Sequence, residues 1–252
     1  DDSNIKRDSG VRVSFDAAQG LSNVVLAKRN FAVLGESDLV GSLNYVQLNA
    51  SDKDADVTLS NSNYTYSAAN AGSVRSTPGI YGERYYFEIT VGAVGAASQH
   101  YIGVANASET ITSYPGSTTA GLSYRADGNR YTNATATAFG ATWAAADVIG
   151  VAIDGRPAAM GANQQHVRVY FRKNGTWQAS ADPDTEAAFL AFTGGIEGVA
   201  HLMVGGNAAE TNSGTVNFGQ SAFAATPPAD YLAPAWQRQT LLADYRFKYQ
   251  ST

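Results

Sequence analysis

Two stretches decide the fold: Asp147-Val148-Ile149-Gly150-Val151-Ala152-Ile153-Asp154, and then Val167-Arg168-Val169-Tyr170-Phe171-Arg172-Lys173-Asn174-Gly175-Thr176-Trp177. Between its two aspartates the first run holds only apolar residues and one glycine. A short run of this kind, bounded by turn signals, reads as a strand buried on both faces. In the second stretch Val167, Val169 and Phe171 alternate with Arg168, Tyr170 and Arg172, the period of two of a strand with one face on a core. Asn174-Gly175 then predicts a tight hairpin turn, because both residues accept positive φ.

The same reading extends outward. Arg84 to Val91 places Tyr85, Phe87, Ile89 and Val91 on one face, with Tyr86, Glu88 and Thr90 on the other, and predicts a half-buried strand. Tyr101-Ile102-Gly103-Val104-Ala105 reads as a second strand buried on both faces. The central Gly103 and Gly150 mark a bulge or a close approach of neighbouring groups. Shorter strands are predicted at Val57–Leu59, Gly121–Tyr124, Ala200–Val204 and Thr215–Phe218. The spacing of the turns fits a sandwich, and helical periodicity is scarce.

Composition agrees with a β protein. The 252 residues are 44% hydrophobic and 11% aromatic, with 25 glycines and 14 tyrosines. A chain this long buries roughly 70–75% of its unfolded surface and needs no staples. It contains no cysteine, which excludes disulfides, a zinc–cysteine site and a cysteine nucleophile. Net charge is −5, and Lys28-Arg29 and Arg172-Lys173 are the nearest approach to a basic stripe, so nucleic acid is not expected as a partner. No apolar run approaches the roughly 20 residues of a membrane-spanning helix. The polar start, Asp1-Asp2-Ser3-Asn4, is not a signal peptide, and the missing initiator Met implies a cleaved or trimmed chain. Asn-x-Ser/Thr occurs at Asn49, Asn63, Asn106, Asn133 and Asn174, which chance explains in so Asn- and Thr-rich a chain.

Three parts are expected: an N-terminal extension over 1–45, a β-sandwich over 46–232 and a C-terminal extension over 233–252. The first holds a mixed apolar stretch, Val24 to Leu43. In the last, Tyr245, Phe247 and Tyr249 alternate with Arg246 and Lys248. That tail reads as an edge strand that pairs with its own domain or with another subunit.

Several segments, in order, carry a resemblance to a known family. They are Val57-Thr58-Leu59-Ser60-Asn61; Ser73-Val74-Arg75-Ser76-Thr77; Gly82 to Val91; the IGVA strand ending at Ala105; Gly121-Leu122-Ser123-Tyr124 ahead of Tyr131; and the VIGVAID strand with its later hairpin. Val216-Asn217-Phe218-Gly219 and Pro227-Pro228-Ala229-Asp230-Tyr231 close the set. Together they resemble the SPRY domain, a concanavalin-like β-sandwich, in the version found in phage tail and virion proteins. The resemblance implies an all-β, two-sheet antiparallel sandwich that recognises partners through loops at one end. One departure from the pattern is a longer loop, Gly155 to Gln165, in place of a very short turn; it is read equally as a functional loop and as a tolerated insertion.

No catalytic set emerges from the residues. His100, His166 and His201 are far apart and read as surface or strand-end residues. No Gly-x-Ser-x-Gly elbow is present. A glycosidase needs two carboxylates beside the scissile bond. Glu88 lacks an acidic partner at strand spacing, and Asp182, Asp184 and Glu186 read as an exposed loop with at most weak cation affinity. Asp52, Asp54 and Asp56 begin like a calcium loop, but Val57 stands where Gly is required. Asp147 is read as a turn carboxylate accepting backbone N–H bonds. No cofactor and no metal site are expected.

Binding residues are sought on three loops: Glu109–Thr119, Arg125–Tyr131 and Gly155–Gln165. Tyr and Arg dominate binding hot spots and aromatic faces stack on sugars, which selects Tyr114, Arg125, Asn129, Arg130, Tyr131 and Met160. The expected function is a non-catalytic binding module of a phage virion, in a tail fibre or receptor-binding appendage, that recognises a host-surface glycan or protein. Two alternatives are a structural virion protein, such as a capsid decoration or head-fibre subunit that contacts other virion proteins or further copies of itself, and a carbohydrate-active enzyme. The expected location is the phage particle.

Overall fold

A computed structural model describes residues 46–77, 83–156, 167–192 and 200–234, together with short strands at 7–8, 10–11, 24–27 and 30–33. The chain divides into two units, residues 45–235 on one side and residues 1–44 with 236–252 on the other. In the second of these, β1 (Arg7–Asp8) pairs with β2 (Gly10–Val11), and β3 (Val24–Ala27) with β4 (Asn30–Val33). The edge strand expected near Tyr245 lies outside the described residues.

Residues 45–235 build the sandwich. In chain order its strands are β5 (Gln47–Lys53), β6 (Val57–Ser60), β7 (Thr65–Ala68), β8 (Gly72–Thr77), β9 (Arg84–Ala93) and β10 (His100–Ala105). There follow β11 (Gly121–Arg125), β12 (Asn129–Thr132), β13 (Thr135–Ala138), β14 (Val148–Asp154) and β15 (Val167–Lys173). The last are β16 (Thr176–Trp177), β17 (Leu190–Phe192), β18 (His201–Gly206) and β19 (Asn212–Asn217). One sheet runs β13-β12-β11-β10-β18-β8-β5 and the other β16-β15-β14-β9-β19-β7-β6, with β17 also on β15. All strand pairings are antiparallel. Among the described residues there is no helix, hence none able to cross a membrane.

The core lies between the sheets. Phe87 and Ile89 from β9, Val151 and Ile153 from β14, and Val169 and Phe171 from β15 meet Ile102 and Val104 from β10, Tyr124 from β11 and Leu202 and Val204 from β18. Period-two alternation delivers each of these to the inner face. The same parity brings His100 inside. Its ring is fully buried, with Nε2 2.6 Å from the Tyr66 hydroxyl and its centroid 5.0 Å from that of Trp143. This corrects the surface or strand-end reading of that histidine: it does begin β10, but it shares the inward row of Ile102 and Val104. His201 begins β18 half-buried with Nδ1 on the Ser76 carbonyl, and His166 lies outside the described residues.

The turns follow side-chain chemistry. Asn174 and Gly175 take φ of 47° and 82°, as expected for the hairpin. Asn133 and Ala134, at 49° and 55°, close the β12–β13 hairpin. Asn63 is also left-handed, so three of the five Asn-x-Ser/Thr asparagines hold backbone turns. Asp147 accepts the Ala144 N–H at 2.8 Å and the Asn174 side-chain amide at 2.7 Å, and pairs with Lys173. Burial opposes its ionisation, but these bonds hold its carboxyl below the usual range.

The outer face of the eight-stranded sheet is also covered, so β9 is buried on both faces up to Glu88 and is not the half-buried strand its alternation predicts. Residues 219–234 run back across it, and Leu232 forms a parallel bridge with Tyr85. A second small core forms there from Tyr86, Ala152, Tyr170, Ala181 and Tyr231. Glu88 accepts the Ala224 and Ala225 N–H groups at 2.6 and 3.0 Å, and Arg172 donates to the Ala225 and Thr226 carbonyls. Gly150 makes room for this crossing. A methyl group there would meet the Tyr86 hydroxyl and stand 2.8 Å from both Cγ and Nε of Arg172.

Candidate functional site

The loop 106–120, between β10 and β11, does not project from the sandwich. It folds back over the outer face of the seven-stranded sheet. Ser73 donates its N–H to the Ile111 carbonyl at 2.8 Å and its hydroxyl to the Ser113 carbonyl at 2.5 Å. The Ser123 hydroxyl donates to the Pro115 carbonyl at 2.6 Å, and Arg75 Nη1 to the Glu109 carbonyl at 2.5 Å. The Glu109 carboxylate is buried and accepts the Ser117 hydroxyl and both the N–H and hydroxyl of Thr118. Gly103 keeps the packing close, since a Cβ there would collide with the Leu122 carbonyl and lie 2.7 Å from Ser123 Cα. Gly103→Ala must push β10 away from β11. The expected loss is about 1–3 kcal/mol by the overpacking rule, read as a lower midpoint in urea unfolding; an unchanged midpoint would show that the strands yield freely.

This overlay creates an aromatic–cation cluster. Tyr114 stacks on Tyr101 with centroids 4.1 Å apart and an interplanar angle of 18°. Tyr131 meets both rings edge-on, at 5.3 and 5.8 Å. The Arg125 guanidinium stands 5.5 Å from the ring centroids of Tyr101 and Tyr131. It donates to the Tyr131 hydroxyl at 2.6 Å, to the Ser98 carbonyl at 2.9 Å and to the Ala97 carbonyl at 2.8 Å, and pairs with Asp127 at 3.2 Å. Burial raises the phenol pKa of Tyr101 and Tyr114.

The structure therefore brings Tyr114, Arg125 and Tyr131 together. Both tyrosines are only 9% exposed, so they present edges rather than open faces. Asn129 takes another role: its N–H and side-chain amide both donate to Asp127, which closes the 126–128 turn. Arg130 sits half-buried on β12 opposite Thr137, and no ion pair or hydrogen bond holds its side chain among the described residues. Met160 lies outside the described residues. Tyr101 and Glu109 were not selected from sequence; they complete the cluster through contacts that only the folded-back loop creates.

The loops singled out from sequence do not share an end. Strand directions place the 126–128 turn at the end of the sandwich that carries the 94–99 and 207–211 loops, tied together by Arg125 and by Glu210, which accepts the N–H groups of Ala97 and Gln99. The 106–120 loop and the Gly155–Arg156 exit of β14 start from the opposite end. The candidate loops therefore do not gather at one end, and the Arg125 cluster lies on an outer face.

Four further carboxylates are engaged structurally. Asp52 pairs with Arg75, Asp54 accepts the Asp56 N–H, Asp182 caps its own turn and Asp184 accepts the Ala229 N–H. Among the described residues no group of three or more His, Asp or Glu side chains is placed to hold a metal ion.

Fold and site together define a rigid antiparallel sandwich with loops pinned to its faces. The model of the SPRY domain matches residues 84–220, and the chain belongs to that family. Solved structures similar to it include a human SPRY domain, at 18% identity and a TM-score of 0.47, over 66% of this chain and 98% of that one. The SPRY domain of human HERC1 is similar at 15% identity and a TM-score of 0.49, over 69% of this chain and 99% of that one. Stonustoxin is similar at 14% identity and a TM-score of 0.47, over 69% of this chain and 27% of that one. No curated protein matches the chain.

Proposed function

We propose that this chain is a non-catalytic binding module of a phage virion, carried on a tail fibre or receptor-binding appendage, that recognises a host-surface glycan or protein. SPRY domains are in general interaction modules rather than catalysts. The observation that carries the reading is the Arg125 cluster. A guanidinium is held by three hydrogen bonds and two aromatic rings, so its ordering cost is already met before a partner arrives. Rigid Tyr and Arg side chains are the residue types that anchor interfaces. The phage assignment is supported by the resemblance of the strand sequences to the version of the family in tail and virion proteins.

Whole-cell binding and a glycan array test this reading. Binding to a host envelope fraction or to a defined glycan is expected, and absence of binding to every fraction would sink it. Arg130→Glu sharpens the test. Arg130 alternates with Tyr131 on β12, so its side chain lies on the other face of this sheet edge from the cluster. With no partner among the described residues, its replacement is expected to leave stability within about 0.5 kcal/mol while reversing the charge of the edge. A weaker, salt-sensitive interaction is expected, and unchanged binding would remove this rim from the interface.

A second reading is a structural virion subunit that contacts other virion proteins or further copies of itself. It is motivated by the grouping of residues 1–44 and 236–252 into a unit separate from the sandwich. Mass in solution discriminates, because a strict monomer disfavours it.

A further inference from the structure

A second concentration of charge lies on the outer face of the eight-stranded sheet. The register of β9, β14 and β15 places Arg84, Asp154 and Arg168 side by side. Arg156 follows two residues after Asp154. All three guanidiniums reach one carboxylate. Arg84 Nη2 donates to Glu186 Oε1 at 2.5 Å, Arg156 Nη2 to the same oxygen at 2.8 Å, and Arg168 Nη1 to Oε2. Arg84 and Arg156 also hold Asp154, which is fully buried.

Four features make this more than an ion-pair network. First, three guanidiniums face two carboxylates, so the cluster keeps one uncompensated positive charge. Second, two of the three cations are desolvated: the side chains of Arg84 and Arg168 are 9% and 15% exposed, against 34% for Arg156 and 38% for Glu186. Third, Arg168 Nε and the hydroxyls of Tyr170 and Tyr231 are buried without a hydrogen-bond partner among the described residues. Tyr170 follows Arg168 on the same face of β15, and Arg84 lies 5.2 Å from the Tyr231 ring centroid. Fourth, Glu186 comes from the turn closed by the Asp182–Ala187 bridge, and Glu186 and Ala188 adopt φ of 60° and 50°, which non-glycine residues disfavour. The turn holds its carboxylate in place against its own backbone preference.

We propose that Arg84, Arg156 and Arg168 form a carboxylate-binding site whose resting occupant is the chain's own Glu186, and which accepts an external carboxylate when the 182–188 turn lifts. The most exposed member is the one on a strained turn, and two of the three cations beneath it stand on the strands that flank β14. Guanidinium forks match carboxylates bidentately, which suits this ligand class. The site is independent of the Arg125 cluster, so its failure would leave the proposed function standing.

An internally occupied site has a distinctive signature. Its apparent affinity is the intrinsic affinity multiplied by the fraction of time that the site is free of its competitor. The probes are acetate and a blocked tripeptide with a central glutamate, titrated at constant ionic strength with chloride as balance and followed by thermal shift and by calorimetry. Glu186→Ala is expected to bind acetate at least tenfold more tightly than the unaltered chain, with saturable stabilisation. Glu186→Gln, a weaker competitor of the same size, is expected to fall between. Arg168→Ala in the Glu186→Ala background is expected to abolish the effect. A tripeptide bound more tightly than acetate supports the site and assigns its carboxylate to a partner chain; equal affinities support it and assign a free acid. Equal acetate affinity in the unaltered chain and the folded Glu186 variants overturns the proposal, as does the absence of saturable stabilisation in them. If Glu186→Ala does not fold, the Glu186→Gln comparison decides on the same terms.

Discussion

Arg172→Ala is expected to destabilise the sandwich by about 3–5 kcal/mol, the range for removing one partner of a buried ion pair. Arg172 and Glu88 are both nearly inaccessible and their charged atoms lie 3.4 Å apart. That distance alone is a weak contact. The strength lies in what surrounds it. Arg172 Nε donates to the Tyr86 hydroxyl at 2.8 Å, and that hydroxyl donates to Glu88 at 2.6 Å. The guanidinium lies 4.3 Å from the Tyr86 ring centroid and 5.1 Å from that of Trp177. It also binds the carbonyls of Ala225 and Thr226, so it pins the segment that covers the second core. Truncation strands a buried carboxylate and two carbonyls together. Urea unfolding followed by tryptophan fluorescence measures the loss. A change below about 1 kcal/mol, typical of a surface pair, would show that the covering segment does not depend on this clamp. Replacing Glu88 and Arg172 together by apolar residues is expected to recover part of the loss, since the stranded charge is then gone.

The second large effect is acid lability that begins above the carboxylate range. Burial pushes the His100 imidazole down to about 3 from its ordinary 6.5. The unfolded chain therefore takes up a proton near pH 6.5, while the folded chain resists it until about pH 3. A depressed histidine pKa contributes stability that is complete above pH 6.5 and is lost as pH falls through that window. The slope approaches about 1.4 kcal/mol per pH unit for one such group, so several kcal/mol are lost across the window. His201 adds to the same trend, because burial lowers its pKa despite the bond to the Ser76 carbonyl. Asp147 and Asp154, with carboxyl pKa values held low, lose their contribution only at more acidic pH. Urea unfolding of the unaltered chain and of His100→Gln at intervals between pH 7 and 4 checks this. The variant is expected to start less stable, having lost the fit against Tyr66 and Trp143, and to show a flatter profile. Parallel profiles would move the acid sensitivity to another group.

Much of the architecture was legible before the structure. The β14 and β15 stretches, the Asn174-Gly175 turn and the alternation from Arg84 to Val91 carry information within a few residues of one another, and local geometry reads it directly. The short strands β5, β7 and β13 were missed because Gln47–Lys53, Thr65–Ala68 and Thr135–Ala138 are polar or small and hold no strong alternation. His100 was misplaced because a lone histidine at a strand start carries no sign of which sheet will face it. The candidate site was half legible. Tyr114, Arg125 and Tyr131 were selected by residue type, but their convergence depends on a loop laid over a sheet face, and Tyr101, the ring between them, belongs to a strand that sequence assigned only to the core.

Alternating side chains and positive-φ turn residues act over two to four positions, so the amino-acid order alone determined that this chain is a β protein with the turn spacing of a sandwich and where the Asn174-Gly175 hairpin closes; its resemblance to a known family supplied the two antiparallel sheets. Which polar groups meet is a different matter. Arg84 finds Glu186, Glu88 finds Arg172 and Tyr66 finds His100 across many intervening residues, and nothing in a local pattern encodes those distances. Register and the return of residues 219–234 across a sheet chose those partners. They decided them because leaving a buried charge or hydroxyl unpaired costs free energy wherever the packed chain happens to place it.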